Sequence, residues 1–200
     1  MSFITNNCTF RVLNKILITQ CEPFACSEND LNEFFLKDCV AYSKDLFGKT
    51  YCFTLDKNPK KIVCAFTISN DSIKAKLLPK VSQNKLNRKI NNQKRSLKSY
   101  PAVLIGRLGV NTNFEGNGIG QELMNFVKAW FIDEENKTGC RFLVVDSYNK
   151  ERPISYYSKN GFKFIFDSEE EEKEYSGIIS DDPLNTRLMY FDLILLATGN

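Results

Sequence analysis

Residues 104–130 decide the fold, and they read LIGRLGVNTNFEGNGIGQELMNFVKAW. The apolar run that ends at Val110 predicts a buried strand. A turn follows in which glycines alternate with other residues, Glu115-Gly116-Asn117-Gly118-Ile119-Gly120. Beyond it, apolar residues recur at the spacing of one helical face: Ile119, Leu123, Val127 and Trp130. The stretch therefore predicts a strand, a glycine-rich turn and a helix.

This order of elements can hold a pyrophosphate. Glycines let the backbone approach a phosphate, and the amides at a helix start lack intrahelical acceptors and lie at the positive end of the helix dipole. The kinase-type P-loop is excluded, because Gln121 and Glu122 stand where it needs Lys and Ser or Thr. The dinucleotide fingerprint also fails, because the three glycines are evenly spaced. The alternative is a tight strand-to-helix turn that binds nothing.

A second pattern is the run Tyr156-Tyr157-Ser158-Lys159-Asn160-Gly161-Phe162. Pro153 suits the first turn of a short helix that carries the two tyrosines. Gly161 suits a left-handed helix end, and Phe162 opens the next strand. Taken alone, the aromatic pair is better explained by packing in the core.

The chain as a whole predicts an α/β fold with a mixed sheet, in the order β, α, β-hairpin, β, α, β, α, β, β. The helix between the strands ending at Val110 and starting at Arg141 makes those strands parallel, with a right-handed connection. The predicted strands are 10–18, 50–55, 62–69, 102–110, 141–145, 162–166 and 186–196. The predicted helices are 28–47, capped by Ser27, then 119–135 and 153–159. We predict a single domain over 1–200, with a basic loop at about 74–98 and an acidic loop at about 167–183.

The formal net charge of +3 conceals an uneven distribution of charge. Nine lysines and arginines lie between Lys74 and Lys98 with no acidic residue among them, whereas Glu169 to Glu174 is almost wholly acidic. The basic stretch is either a solvated loop or a platform for nucleic-acid phosphates. The candidate phosphate contacts in it are Lys85, Arg88, Lys89, Lys94 and Arg95.

Composition limits the possible chemistry. The chain has no histidine, which excludes Ser-His-Asp and Cys-His hydrolases in their usual forms. Its seven cysteines form no CxxC pair, so we expect reduced, mostly buried thiols and no metal site. No apolar run approaches the ~20 residues that cross a bilayer, and no secretory signal is evident. We therefore expect a soluble, cytoplasmic protein.

Together, the glycine turn and the tyrosine before Gly161-Phe162 resemble the GCN5-related N-acetyltransferase (GNAT) family. The family turn reads Gln/Arg-x-x-Gly-x-Gly/Ala, from which Glu115 departs, and we expect its carboxylate to face solvent. Two further segments resemble the toxin-type acetyltransferases that modify aminoacyl-tRNA. They are Phe24-Ala25-Cys26-Ser27-Glu28-Asn29-Asp30-Leu31-Asn32-Glu33-Phe34 and Gly106-Arg107-Leu108-Gly109-Val110.

The resemblance implies a GNAT-like fold, with a central mixed, splayed β-sheet flanked by helices. It implies acetyl-coenzyme A (acetyl-CoA) as co-substrate, no metal, and Tyr157 as the catalytic acid that protonates the leaving thiolate. The implied cofactor-binding residues are Leu108, Gly109, Val110, Glu115, Gly116, Asn117, Gly118, Ile119, Gly120 and Gln121.

The function implied is N-acetyl transfer from acetyl-CoA to an amine, in particular the α-amine of aminoacyl-tRNA. A toxin of this kind would be held by a small antitoxin and could form a homodimer. Two alternatives stay open: a GNAT enzyme acting on a protein or small-molecule amine, and a non-catalytic acyl-CoA-binding module.

Overall fold

Seven strands form one mixed sheet in the computed structural model, which describes residues 2–88 and 97–197. The strand order is β1-β2-β3-β4-β5-β7-β6. The strands are β1 (Cys8–Val12), β2 (Lys49–Leu55), β3 (Asn58–Ile73), β4 (Tyr100–Val110), β5 (Phe142–Tyr148), β6 (Lys163–Phe164) and β7 (Thr186–Asp192). The described helices are α1 (Phe3–Asn7), α2 (Lys15–Gln20), α3 (Asn29–Glu33), α4 (Cys39–Lys44), α5 (Lys80–Asn87), α6 (Ile119–Ile132), α7 (Glu151–Lys159), α8 (Glu169–Ser176) and α9 (Ile194–Ala197). The predicted α/β class with a mixed sheet is confirmed.

The chain divides into two compact units. The first comprises residues up to 69 together with 105–129, and the second comprises 70–104 and the chain from 130 onwards. The single domain predicted over 1–200 stays a prediction.

The first unit contains an antiparallel meander of β1, β2 and β3. Phe10 of β1 pairs with Phe53 of β2, and its ring lies 4.9 Å from that of Phe126 on α6. The predicted apolar face of α6 is confirmed at Ile119, Leu123 and Val127, which are buried, whereas Trp130 is half-buried. A further core cluster of this unit consists of Leu13, Leu17, Phe24, Cys26, Leu31, Phe34, Phe35, Cys39, Cys52, Ile62 and Ala65.

The second unit contains the parallel pair that the crossover predicted. Residues Ala102 to Leu104 of β4 pair with Phe142 to Val144 of β5. Strand β7 runs antiparallel to β5 along its whole length, and β6 adds two residues antiparallel to β7. Its core cluster consists of Ile73, Ala75, Leu78, Leu86, Tyr100, Ala102, Phe142, Val144, Ile165, Phe166 and Tyr190.

Two predictions near the N-terminus were wrong in detail. The predicted strand 10–18 is β1 followed by α2, because the Asn14 side chain accepts a hydrogen bond from the Leu17 amide at 2.9 Å and starts a helix there. The predicted helix 28–47 begins at Asn29 with Glu28 rather than Ser27 at its cap. It passes through a π-helical turn, Phe34–Asp38, before α4 ends it at Lys44.

The acidic segment was also predicted wrongly, since it forms helix α8 rather than a loop throughout. Ser168 caps this helix by accepting from the Glu171 amide, and Gly177 ends it at φ +68°. Its first turn holds four glutamates, which the helix dipole favours. The basic segment holds a 3₁₀ turn, Ala75–Leu77, and helix α5. The last strand ends at Asp192, before α9.

An ion-pair network fastens α8 to β7. Glu172 is buried, and its carboxylate accepts from Arg187 Nε at 2.7 Å and from the Leu188 amide at 2.5 Å. Arg187 also lies 3.7 Å from Glu169, and its guanidinium stacks 4.7 Å from the Phe164 ring centroid. The network holds the acidic helix in a fixed register on the sheet.

The seven cysteines are all free thiols, and Cys26, Cys39, Cys52 and Cys64 are buried, as expected. Burial raises the pKa of Cys39 to about 11, so this thiol is protonated at neutral pH. Within residues 2–88 and 97–197, no three His, Cys, Asp or Glu side chains come together in a group that could hold a metal ion. No helix in these two ranges has both the length and the apolar character to cross a membrane.

We expect Glu172→Ala to lower the free energy of unfolding by about 3–5 kcal/mol, because it leaves the buried Arg187 guanidinium without its closest partner. The matched control is Glu174→Ala on the same helix, whose side chain is exposed. The control should change stability by less than about 0.5 kcal/mol. Urea unfolding measures both, and equal stabilities would contradict the role given to Glu172.

Candidate active site

The glycine turn before α6 has two residues in the left-handed region. Gly116 and Gly118 both have φ of +78°, and a Cβ built at either position would meet no atom of the chain within 4 Å. The space in front of both glycines is therefore open. Helix α6 begins directly after them, at Ile119, and amides at a helix start have no acceptor within their own helix. The geometry suits an anion at this turn.

Asn111 holds the end of β4, and sequence reasoning missed it. Its amide donates to the Val63 carbonyl at 2.9 Å, and its Nδ2 donates to the Ile62 carbonyl at 3.0 Å. Its Oδ1 accepts from the Asn113 amide at 3.1 Å, which closes a 3₁₀ turn, Thr112–Phe114. An asparagine directly after a buried strand was the available signal, because its side chain commonly closes such a turn.

The remaining turn residues have distinct environments. Ile119 is buried and anchors α6 in the core. Asn117 turns its side chain back toward the Phe114 and Glu115 carbonyls, at 3.5 and 3.3 Å. Glu115 is half-buried, whereas we expected it to face solvent. The Glu115 carboxylate acts on the Cys26 thiol of the neighbouring segment. Burial raises the pKa of this thiol, and the negative charge of Glu115 raises it further.

The early segment around Phe24 packs against β4. A Cβ at Gly109 would lie 3.3 Å from both Cys26 Sγ and the Phe24 ring, so glycine permits this close approach. The Asn32 side chain clamps Cys26, accepting from its amide at 2.6 Å and donating to its carbonyl at 3.0 Å. The Thr112 amide donates to the Ala25 carbonyl at 2.9 Å. The segment therefore braces both β4 and the start of the turn.

The predicted cofactor-binding residues of β4 lie in the part of the strand beyond its register pairs with β5. The parallel register ends at Leu104 and Val144, although β4 continues to Val110. In this last part, Leu108 and Val110 are half-buried and Gly109 is buried. These three residues and the turn belong to the first unit.

Tyr157 lies in the second unit, on α7. Its ring centroid is 5.0 Å from that of Tyr156 and 5.5 Å from that of Phe162. Its carbonyl accepts from the Phe162 amide at 3.0 Å, across Gly161 at φ +80°. Burial raises the pKa of the Tyr157 phenol well above its usual value, and nearby Tyr148 raises it further. The phenol is therefore protonated at neutral pH, as a proton donor must be.

The candidate phosphate contacts are only partly described. Lys85 is half-buried and forms an ion pair with Asp167, so part of its charge is already neutralised. Arg88 is exposed at the end of α5. Lys89, Lys94 and Arg95 lie outside the described residues.

Comparison with known proteins agrees with this geometry. Residues 87–164, which include β4, the turn, α6 and Tyr157, match the family profile of the acetyltransferase (GNAT) domain. A comparison of the sequence with characterised proteins finds no match.

Solved structures match over nearly the whole chain. A tyrosine-to-phenylalanine mutant of KacT is 18% identical, with a TM-score of 0.69, over 96% of this chain and 99% of that one. AtaT complexed with acetyl-methionyl-tRNAfMet is 18% identical, with a TM-score of 0.64, over 96% of this chain and 98% of that one. AtaTR bound with acetyl-CoA is 17% identical, with a TM-score of 0.60, over 96% and 98%. At this identity the matches establish the fold alone, which is that of the KacT and AtaT structures, and the acetyltransferase (GNAT) profile covers residues 87–164 of this chain.

Proposed function

We propose that this protein transfers an acetyl group from acetyl-CoA to the α-amine of an aminoacyl-tRNA. The observation that carries the proposal is the open, positive-φ glycine turn at the start of α6, inside the segment that matches the acetyltransferase profile. The choice of acceptor is supported by the match to AtaT, which was solved with acetyl-methionyl-tRNAfMet.

The turn and the end of β4 would hold the co-substrate. The amides of Asn117, Gly118, Gly120 and Gln121 are our candidates for the pyrophosphate, with Gly116 and Ile119 shaping the turn. The backbone of Leu108 to Val110 would hold the acetyl carbonyl and the pantetheine amides. Acetyl-CoA supplies an activated thioester, and a backbone amide of this strand would stabilise the charge that develops on the carbonyl oxygen.

Tyr157 would act as the acid. As the amine nitrogen bonds to the acetyl carbon and the carbon–sulfur bond breaks, the phenol would donate its proton to the departing sulfur. Water or a carboxylate would take the proton released by the amine, since the chain has no histidine to serve as base. The raised pKa means that this acid is lost only as the pH rises above the usual tyrosine range.

The proposal extends to partners and location. AtaT toxin has been solved with the C-terminus of its antitoxin AtaR and acetyl-CoA, and KacTA with DNA. By analogy, we propose that this chain is a toxin held by a small antitoxin. Its site of action would be the cytoplasm, where charged tRNA is found.

Gly118→Asp should weaken acetyl-CoA binding by at least ~10-fold, or ~1.4 kcal/mol, because it places a side chain and a negative charge in the open turn. The matched control is Gly177→Asp, which introduces the same side chain at a similar φ, also with no atom within 4 Å of its Cβ. The control should bind acetyl-CoA like the parent. Calorimetry measures the acetyl-CoA affinity of both variants. An unchanged affinity in Gly118→Asp would place the cofactor elsewhere.

Tyr157→Phe should lower the rate of acetyl transfer to charged tRNA by about 10²–10⁴, the usual range for a positioned acid, and leave acetyl-CoA affinity intact. Its neighbour provides the control, since Tyr156→Phe removes the same hydroxyl group one position away and should have a smaller effect. Single-turnover kinetics measures both variants. Equal rates for Tyr157→Phe and the parent would remove Tyr157 from the mechanism.

The basic stretch should carry the affinity for tRNA. Replacing Lys85, Arg88, Lys89, Lys94 and Arg95 with Ser should weaken tRNA binding and flatten its dependence on salt, because fewer counterions are released. Acetylation of a small amine should survive this change. The control replaces exposed lysines elsewhere, Lys44, Lys49, Lys57 and Lys60, and should retain most tRNA affinity. If filter binding shows both variants unchanged, the acceptor is not recognised through this stretch.

A further inference from the structure

Four side chains of the first unit stack in a row that begins on strand β4. The Arg107 guanidinium lies over the Phe34 ring, 5.1 Å from its centroid. The Phe34 and Tyr42 rings meet edge-on with centroids 5.7 Å apart, and the Phe47 ring lies 5.7 Å from that of Tyr42. These four residues form the stacked row. It connects the two segments that resemble the toxin-type acetyltransferases, because Phe34 ends one of them and Arg107 belongs to the other.

The cation of the row has no acidic partner. Arg107 is exposed, its Nη1 donates to the Gly106 carbonyl at 2.7 Å, and it forms no ion pair with any residue that the structure describes. A guanidinium that is held flat over a ring suits a phosphate, and its own plane suits a nucleobase. Arg107 directly precedes Leu108, whose backbone is proposed to hold the acetyl group. The row therefore begins beside the proposed acetyl site.

The other end of the row is an exposed aromatic ring on a fixed turn. Phe47 is 64% exposed. Leu46 before it has φ +61°, which in the described parts of the chain is the only positive φ outside glycine. The Phe47 amide donates to the Tyr42 carbonyl at 3.1 Å, and a Cβ at Gly48 would lie 2.6 Å from the Ile68 carbonyl oxygen. An unfavourable backbone conformation that presents a ring to solvent is typical of a functional surface.

Tyr42 fixes the middle of the row. It is half-buried, and its hydroxyl lies 3.4 Å from the Ser69 hydroxyl of β3. The close approach of Gly48 also holds the Tyr42 ring, because a Cβ at that glycine would lie 2.8 Å from the ring. The row is therefore formed before any ligand arrives, which lowers the entropic cost of binding.

We infer that the stacked row binds the unpaired nucleotides at the 3′ end of the tRNA. Arg107 would contact a phosphate near the aminoacyl ester, and Phe47 would stack on a base further along the strand. Proteins commonly bind single strands in this way, with cations on the backbone and rings on the bases. The inference rests on the proposed function, since it says how the acceptor of that reaction is positioned. The row is distinct from the basic stretch, which belongs to the second unit.

The test measures, by filter binding, the affinity of deacylated tRNA with and without its terminal CCA nucleotides. We expect the parent protein to bind intact tRNA at least ~10-fold more tightly, the effect of about one stacked base. Phe47→Leu and Arg107→Met should each reduce this preference to about twofold or less. Phe47→Trp should retain it, because tryptophan also stacks on bases.

Two control variants lie elsewhere in the first unit. Arg11→Met removes another exposed arginine, and Ile16→Ala shortens an apolar side chain that is 67% exposed. Both should keep the full preference for intact tRNA. If Phe47→Leu keeps it as well, apolar contact rather than stacking explains the preference, and the inference falls.

Acetyl-CoA is a second source of phosphate, and calorimetry separates it from the tRNA. Arg107→Met should leave the affinity for acetyl-CoA unchanged. If this variant instead loses affinity for acetyl-CoA and keeps the preference for intact tRNA, Arg107 belongs to the co-substrate site and the inference is overturned.

Acetyl transfer to charged tRNA separates this inference from the proposed function. If charged tRNA is not acetylated but the preference that depends on Phe47 and Arg107 remains, the stacked row stands and the acetyl-transfer proposal falls. If charged tRNA is acetylated but the parent binds both tRNAs equally, the proposed function stands. The inference then falls, and a protein partner becomes the better candidate for the exposed ring.

Discussion

Asn111 fixes the end of strand β4 with three hydrogen bonds, two to β3 and one to the turn that follows. The site in the first unit depends on this anchor. Because β4 ends at a defined point, the two positive-φ glycines that follow it are fixed in position. The first backbone amides of α6 are fixed with them. Phe24 and Cys26, the latter held by Asn32, pack against the same strand at Gly109. Asn111 thus sets the geometry of the glycine turn, the proposed binding site of the co-substrate.

The parts of the fold that local chemistry determines could be predicted from the sequence. The glycine turn and the apolar face of α6 depend on residues within a few positions of each other. The acidic helix α8 was predictable too, since Ser168 and Glu171 form a capping pattern and Gly177 a helix end, but its lack of apolar periodicity favoured a loop. The π-helical turn at Phe34–Asp38 and the raised pKa of Tyr157 depend on tertiary packing, which no local pattern encodes.

Within the second unit, basic and acidic residues form separate groups, which the formal net charge of the chain does not show. The basic helix α5 is tied to the acidic segment by the Lys85–Asp167 ion pair, and Ser82 donates a hydrogen bond to the carbonyl of Ile165, just before that segment, at 2.7 Å. Helix α8 and the loop after it then supply carboxylates to a cavity beside β5. In the proposed reaction, the basic stretch would attract the tRNA phosphates.

In the proposed reaction, the acetyl group ends on the α-amine of a tRNA-bound amino acid. The most direct measurement incubates the protein with isotopically labelled acetyl-CoA and a mixture of charged tRNAs, then identifies the labelled residue released from the tRNA by mild base. We expect labelled N-acetyl-amino acid from the charged tRNA and none from the same tRNA after deacylation. Label that appears only on protein or on free small amines, or in no fraction at all, would contradict it.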